Sequence, residues 1–308
     1  IGLVQINNSF SGQNYFPYSV GLLQAYAEKY LKTPDQYEFL LPIYSRIKIG
    51  QAVKHLESAD IILFSAYVWN VRLSLKIAEI IKTQSPEKTI VFGGPHVPDD
   101  AGEFLRKNPF VDIAAHKEGE RIICPLLDNF NEDLKAVPSI SYLDEMGNYV
   151  QNQWAERIKD LEEIPSPYLE GVFDPLLEAF PEERWLVMWE TNRGCPFSCT
   201  FCHDGSKLVN KVSHFSAERI RAELAYIGER VPDNTRTLFI SDLNFGMYKE
   251  DQITCETIAK CIKKYNWPTQ IEVDTGKNDQ KKVMKASEIV GGILSLNGSV
   301  QSLDEDVM

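Results

Sequence analysis

Three of the chain's six cysteines fall within the short stretch RGCPFSCTFCHDG, from Arg193 to Gly205. Cys195, Cys199 and Cys202 are spaced C-x3-C-x2-C. Thiolates at this spacing can reach one metal centre from a single loop, and soft sulfur ligands suit zinc or an iron–sulfur cluster. A structural zinc needs a fourth ligand; His203 is the nearest, and its place beside Cys202 strains a tetrahedral shell. On a four-iron cubane, three cysteines leave one iron without a protein ligand, and that open position can bind a substrate or cofactor. Cys124, Cys255 and Cys261 lie in helical patterns and read as small buried hydrophobes with no role in the chemistry.

The loop must be presented by something. WLVMWETN, just before it, reads as a strand, and after it SAERIRAELAYIGERV (helix), TRTLFISD (strand), DQITCETIAKCIKKYN (helix), TQIEVDTG (strand), NDQKKVMKASEIV (helix) and GILSLNGSV (strand) alternate. Such β/α repeats, with their polar residues just past each strand, resemble part of an α/β barrel, whose chemistry sits at the strand carboxyl ends. Four repeats do not close a barrel, so the chain reads as a truncated piece of a longer protein; it also begins at Ile1 rather than Met.

The front of the chain alternates in the same way. GLVQINN, EFLLPI, DIILFSAY, TIVFGG and VDIAAHK read as strands, SVGLLQAYAEKYL and VRLSLKIAEIIK as amphipathic helices, the latter with Asn70 as its N-cap. A strand–helix–strand unit across 60–94 predicts a parallel sheet covered on both faces, with ligands bound beyond the strand carboxyl ends. The loops SAYVWN and GGPHVPDD stand at that end. SISYLDEMGNYVQN reads as a hairpin turning at Met146-Gly147-Asn148. The organisation expected is therefore α/β: a Rossmann or flavodoxin-like domain over 1–150, a proline-containing linker over 151–183, and a partial (β/α) barrel over 184–308.

The formal charge of −12 argues against long-range attraction to nucleic acid or an anionic membrane face. The apolar run DIILFSAYVW is about half of what a helix needs to span a bilayer, and no secretory leader precedes it. The expectation is a cytoplasmic protein with reduced thiols, bound to neither nucleic acid nor membrane.

The cysteine spacing, with the aromatic Phe201 before its last member, resembles the signature of radical S-adenosylmethionine (SAM) enzymes. The resemblance implies a [4Fe-4S] cluster on Cys195, Cys199 and Cys202, its open iron chelated by the amino and carboxylate groups of SAM. One electron, from a donor such as flavodoxin or ferredoxin, would then cleave the sulfonium to a 5′-deoxyadenosyl radical. It further implies SAM contacts from the backbone at Phe201 and His203, from Asp242 and Asn244 in SDLNFG, from Lys277 and Asn278 in DTGKN, and from Ser299 and Gln301 in SVQS.

A five-stranded sheet ahead of such a barrel resembles the cobalamin (B12)-binding domain fused to one branch of that family. There a D-x-H-x-x-G motif is followed by S-x-L and Gly-Gly; this chain has Ser65-Ala66-Tyr67 and Gly93-Gly94, with KEGE at 117–120. The cobalamin contacts implied are Gly21, Ser65, Tyr67, Trp69, Gly93, Gly94, Pro95, His96, Glu118, Gly119 and Glu120. The histidine motif is lost, since Phe16 and Tyr18 stand where Asp and His would precede Gly21. No histidine from this loop reaches cobalt, and Tyr67 or Trp69 is the expected neighbour of that face. A flavodoxin-like domain with another ligand, or with only a packing role, is the alternative. His96 and His116 read by default as surface or hydrogen-bonded histidines.

Together these resemblances imply a cobalamin-dependent radical SAM methyltransferase acting on an unactivated carbon or phosphinate phosphorus of a small molecule or peptide. The rivals are a radical rearrangement or cyclisation without methyl transfer, and a non-catalytic zinc or redox-sensing module.

Overall fold

A computed structural model describes residues 1–130, 133–200, 202, 210–276 and 278–296. The chain divides into two compact units, one of residues 1–159 and 163–183, the other of 160–162 and 184–308.

The first unit runs β1 (Gly2–Val4), β2 (Asn14–Tyr15), α1 (Tyr18–Tyr30), α2 (Ile49–His55), β3 (Ile61–Ser65), α3 (Val71–Gln84), β4 (Thr89–Gly93), α4 (Gly102–Lys107), β5 (Ile113–Ala115), α5 (Glu120–Asp128), β6 (Ile140–Leu143), β7 (Tyr149–Gln151) and α6 (Asp174–Ala179). Its sheet has the order β1-β3-β4-β5-β6-β7. The first four strands are parallel, and β6 and β7 add an antiparallel hairpin. EFLLPI lies alongside β1 as an extended edge: Ile43 N–H donates to Leu3 O and Gln5 N–H to Ile43 O, both at 2.9 Å. The chain thus places one strand on one side of β1 and then crosses to β3 on the other, the flavodoxin-like order whose ligand crevice opens between those two strands.

Side-chain alternation along the strands sorts two cores. Val4, Ile62, Phe64, Ile90 and Phe92 pack with Leu56, Ile77, Ala78 and Ile81 on one face. Leu3, Ile61, Leu63, Val91 and Ile113 pack with Val20, Ala27, Ile122, Ile123 and Leu127 on the other. Each such side chain contributes about 1.5–3 kcal/mol when fully buried. Asn70 begins α3 as expected, yet its side chain makes no capping bond to the helix. The segment read as a linker from its prolines carries a core of its own: Tyr168 and Phe173 are buried, and their rings meet Phe16 at 6.1 and 5.0 Å.

The second unit runs β8 (Trp185–Trp189), β9 (Asn192–Arg193), β10 (Ser213–His214), α7 (Ala217–Arg230), β11 (Thr237–Phe245), α8 (Lys249–Tyr265), β12 (Gln270–Thr275) and α9 (Gln280–Ile289). β11 is flanked in parallel by β8 and β12. Beyond α9 the chain returns beside β12, where Ile271 N–H donates to Ile293 O at 2.9 Å and Ser295 N–H to Ile271 O at 2.8 Å. The first three strands and their helices follow the expected alternation; the fourth expected strand, GILSLNGSV, pairs at Leu294 and continues outside the described residues.

Beneath β8 lies a buried ion pair. Arg219 Nε donates to Glu223 at 3.0 Å, and the indole N–H of Trp189 donates to the other carboxylate oxygen at 2.6 Å. The guanidinium lies 4.1 Å from the Phe215 ring centroid. Glu223→Ala would remove the charged partner of a buried cation and the acceptor of an indole N–H, at a cost of about 3–5 kcal/mol. The expected result is a lower urea midpoint with an unchanged m value; an unmoved midpoint would show that solvent already shields the pair.

Candidate functional site

In the second unit the cysteine stretch leaves the sheet immediately after β8. β9 and β10 pair antiparallel, Arg193 with Ser213 and Asn192 with His214, and Phe215 N–H donates to Thr191 O at 3.0 Å. The loop is therefore tied at its base. Asp242 holds that base from β11. Its carboxylate accepts from Thr191 N–H at 2.9 Å, from the Thr191 hydroxyl, and from Asn192 N–H at 3.3 Å and Nδ2 at 2.8 Å. Burial pushes the Asp242 carboxyl up to about 7, against the pull of the Thr191 donors. Two residues on, Asn244 donates its Nδ2–H to Cys195 Sγ at 3.3 Å. Asp242, expected with Asn244 to contact SAM, is 2% exposed and its carboxylate is occupied with Thr191 and Asn192.

The neighbouring turns are held similarly. Asp251 accepts from Gly246 N–H at 2.8 Å and Tyr248 N–H at 2.9 Å, with its carboxyl pushed up to about 6 by burial. A Cβ on Gly276 would lie 2.0 Å from Met247 Cγ, so the turn after β12 rests directly on the turn after β11. Asn278 is exposed in that turn. Cys195 and Cys199 are half-buried and Cys202 is exposed. The sulfurs are not gathered: among the described residues no three His, Cys, Asp or Glu side chains are grouped to hold a metal ion. Thiols have no attraction for one another, and the bonds that draw such a set together are those to the metal. The donor chemistry nonetheless fits a cluster, with soft sulfurs on a loop tied at its base and an amide N–H already aimed at one sulfur. Phe201, His203, Lys277, Ser299 and Gln301 lie outside the described residues. Cys255 and Cys261 are buried in α8, and burial pushes their thiols up to about 12 and 11. Cys124 is raised likewise.

In the first unit the crevice between β1 and β3 is lined by polar groups. Ser65 Oγ lies 3.2 Å from Ser19 Oγ, and the Ser19 hydroxyl donates to Gln5 Oε1 at 2.7 Å. Asn70 bridges the two strand ends: its Nδ2 donates to Ile6 O and to Ser65 O at 2.9 Å each, and its Oδ1 accepts from Tyr67 N–H at 2.8 Å. The Tyr67 and Trp69 rings stack with centroids 4.5 Å apart and planes 12° apart, and Trp69 is 43% exposed. Gly93 is half-buried, while Gly94, Pro95 and His96 are exposed beside it.

Three of the glycines expected to contact cobalamin are also required by the protein itself. Gly94 has φ +98°, and a Cβ there would lie 2.9 Å from Ala66 O. A Cβ on Gly21 would strike Phe173 at 2.5 Å, and one on Gly119 would strike Leu23 at 2.8 Å. Glu118 accepts from Ile158 N–H at 2.6 Å. Glu120 is buried in the first turn of α5. Phe16 and Tyr18, in place of the histidine motif, are buried at 1% and 5% exposure; Tyr18 stacks on Tyr168 at 6.0 Å. His116 is buried, and its Nε2 pairs with Ser141 Oγ at 2.8 Å. The residue chemistry here, a stacked aromatic pair of which Trp69 is exposed and Tyr67 half-buried, with two serine hydroxyls, suits a large planar ligand with polar side groups. Sequence reasoning missed Gln5, Thr191 and Asn192 at strand ends and Ser19 in the first turn of α1, whose signal was only their place beside residues already chosen.

The B12 binding domain model matches residues 45–127. The cobalamin-dependent radical SAM methyltransferase TokK of Streptomyces tokunonensis is 34% identical over 310 residues, 97% of this chain and 45% of the relative. The 2-(S-pantetheinyl)-carbapenam-3-carboxylate methyltransferase of Streptantibioticus cattleyicolor is 33% identical over 302 residues, 96% of this chain and 44% of its own length. Among solved structures, the cobalamin-dependent SAM radical enzyme OxsB with aqua-cobalamin and SAM bound superposes with a TM-score of 0.69 at 20% identity, covering 96% of this chain and 42% of that one. The chain thus spans a little under half the length of the curated relatives it matches. Among the described residues no helix is long and apolar enough to cross a membrane.

Asp242 gives a pH test of the loop clamp. A folded carboxyl that holds its proton to about 7, against about 3.9 when unfolded, contributes stability that is fully present below about pH 4 and lost as the pH rises toward 7. Metal-free wild type should lose urea resistance across that window relative to Asp242→Asn, whose amide does not titrate. Parallel profiles would contradict the clamp as described.

Proposed function

We propose that this chain, similar over nearly all its length to cobalamin-dependent radical SAM methyltransferases, provides the cobalamin site and the cluster loop for methyl transfer to an unactivated carbon of a small molecule. The observation that carries this reading is the joint presence of a matched B12 binding domain at 45–127 and a C-x3-C-x2-C loop emerging directly from a parallel strand. When bound, the cluster and SAM supply a radical able to remove a substrate hydrogen, and cobalamin carries the methyl group. Cys195, Cys199 and Cys202 would hold the cluster, leaving its remaining iron to SAM. Asp242 fixes the base of their loop through Thr191 and Asn192. Asn278, together with Phe201, His203, Lys277, Ser299 and Gln301 outside the described residues, and Asp242 and Asn244 at the base of the loop, are proposed SAM neighbours by resemblance.

Ser65 and the loop Gly93–His96 would meet cobalamin at the β1/β3 crevice, with Tyr67 and Trp69 as an apolar plate where a histidine would otherwise stand. Gly21, Glu118, Gly119 and Glu120 would act from behind, by packing and by bonds within the unit. An electron donor of the flavodoxin or ferredoxin kind and a cytoplasmic setting complete the reading, in keeping with the acidic charge and thiols that must stay reduced.

Anaerobic turnover with methyl-labelled SAM tests the reaction: label in the product is required, and its absence alongside deoxyadenosine release would favour rearrangement. Iron and sulfide should be present in the purified protein; zinc alone would overturn the enzyme reading. Cys199→Ala should abolish cluster assembly and deoxyadenosine formation, while Cys255→Ala leaves both largely intact. Gly94→Ala should weaken uptake of hydroxocobalamin at least tenfold, followed by its absorption spectrum, because the new methyl group pushes the β4 turn off Ala66. Unchanged uptake would place cobalamin elsewhere.

A further inference from the structure

Asn244 is 6% exposed and stands on the same face of β11 as Asp242, two residues along the strand. The two side chains grip successive parts of one segment: Asp242 holds Thr191 and Asn192, and Asn244 reaches Cys195. The clamp at Asp242 fixes the register, so the amide of Asn244 meets the first cysteine sulfur rather than a backbone carbonyl. Its Nδ2 lies 3.3 Å from Sγ, the separation of an N–H···S hydrogen bond.

We infer that Asn244 is a positioning residue that donates a hydrogen bond to the Cys195 sulfur and thereby raises the reduction potential of the cluster this thiolate ligates. The inference rests on the cluster reading proposed above. A hydrogen bond to a ligating sulfur stabilises negative charge, and the reduced cluster carries one more negative charge than the oxidised, so the donor favours reduction. The amide thereby eases the one-electron step that must precede cleavage of SAM.

The test is EPR-monitored redox titration of the purified full-length protein, reconstituted anaerobically and without SAM, with iron and sulfide counted in each sample. Asn244→Leu keeps the shape and removes the donor, Asn244→Asp replaces the donor with an acceptor, and Asn244→Gln returns an amide on a longer stem. The Leu and Asp variants should titrate at lower potential, with a roughly tenfold lower reduced-to-oxidised ratio at the wild-type midpoint, about 59 mV for one electron. The Gln variant should fall closer to wild type. Midpoints equal to wild type in Leu and Asp overturn the inference, even if SAM binds less tightly, since that outcome makes Asn244 only a SAM contact. Loss of iron from all three variants also overturns it, by making the residue a scaffold element. Wild-type protein without iron and sulfide would instead defeat the cluster reading itself, a distinct result.

Discussion

A buried carboxylate is costly unless hydrogen bonds replace the water it has lost. Asp242 is enclosed in the second unit and accepts from Thr191 and Asn192, the residues that join β8 to the cysteine loop. Where the loop leaves the sheet, and therefore where Cys195 can stand, depends on that satisfaction. Burial raises the carboxyl toward neutrality, while the hydroxyl and backbone N–H of Thr191 oppose the proton. The turn is held firmly because releasing it would expose the carboxylate to a site without replacements.

The same device recurs at the other strand ends. Asp251 gathers the backbone of Gly246 and Tyr248 in the turn between β11 and α8. In the first unit Asn70 uses both ends of its amide to join Ile6, Ser65 and Tyr67. Each turn at a strand carboxyl end carries unsatisfied backbone groups, because the ladder has stopped and the next helix has not begun. A polar side chain buried there meets those groups and fixes the turn at once. The ligand-facing residues can then remain exposed without the turn itself becoming loose.

Hydrophobic alternation made the architecture legible. GLV, IILFS and TIVFG separate into two cores by alternate residues, and the helices between them have apolar faces to cover both. The cysteine loop was legible because few other reasons bring three thiols so close. The polar site residues were read less well. Asp242 and Asn244 share a face and a spacing, so both looked available to a ligand, but one serves the backbone and the other a sulfur. Nothing in one-dimensional spacing tells which partner lies opposite on β8. Gly94 was expected to contact a ligand, and spacing alone did not show that its missing Cβ also lets the turn approach the Ala66 carbonyl. Asn70 sits where a cap belongs, but its amide binds Ile6 across the crevice and Ser65 and Tyr67 in its own turn, and leaves the helix N–H groups alone.

Phe16 and Tyr18, where the resemblance would place a histidine motif, have a structural role of their own. Phe16 and Tyr18 are not gaps in a ligand loop; they are buried against Tyr168 and Phe173, which belong to the proline-containing segment after the hairpin. Gly21 closes the same contact, since a Cβ there would occupy the place of the Phe173 ring. A histidine at position 18 would have to bury an imidazole among these rings or pull α1 away from them. The aromatic box and a histidine ligand are therefore alternatives at one position, and this sequence commits to the box. Beside this box the crevice carries hydroxyls from Ser19 and Ser65 and the stacked pair of Tyr67 and Trp69, so the packing of α1 and the ligand-side surface are built from different residues.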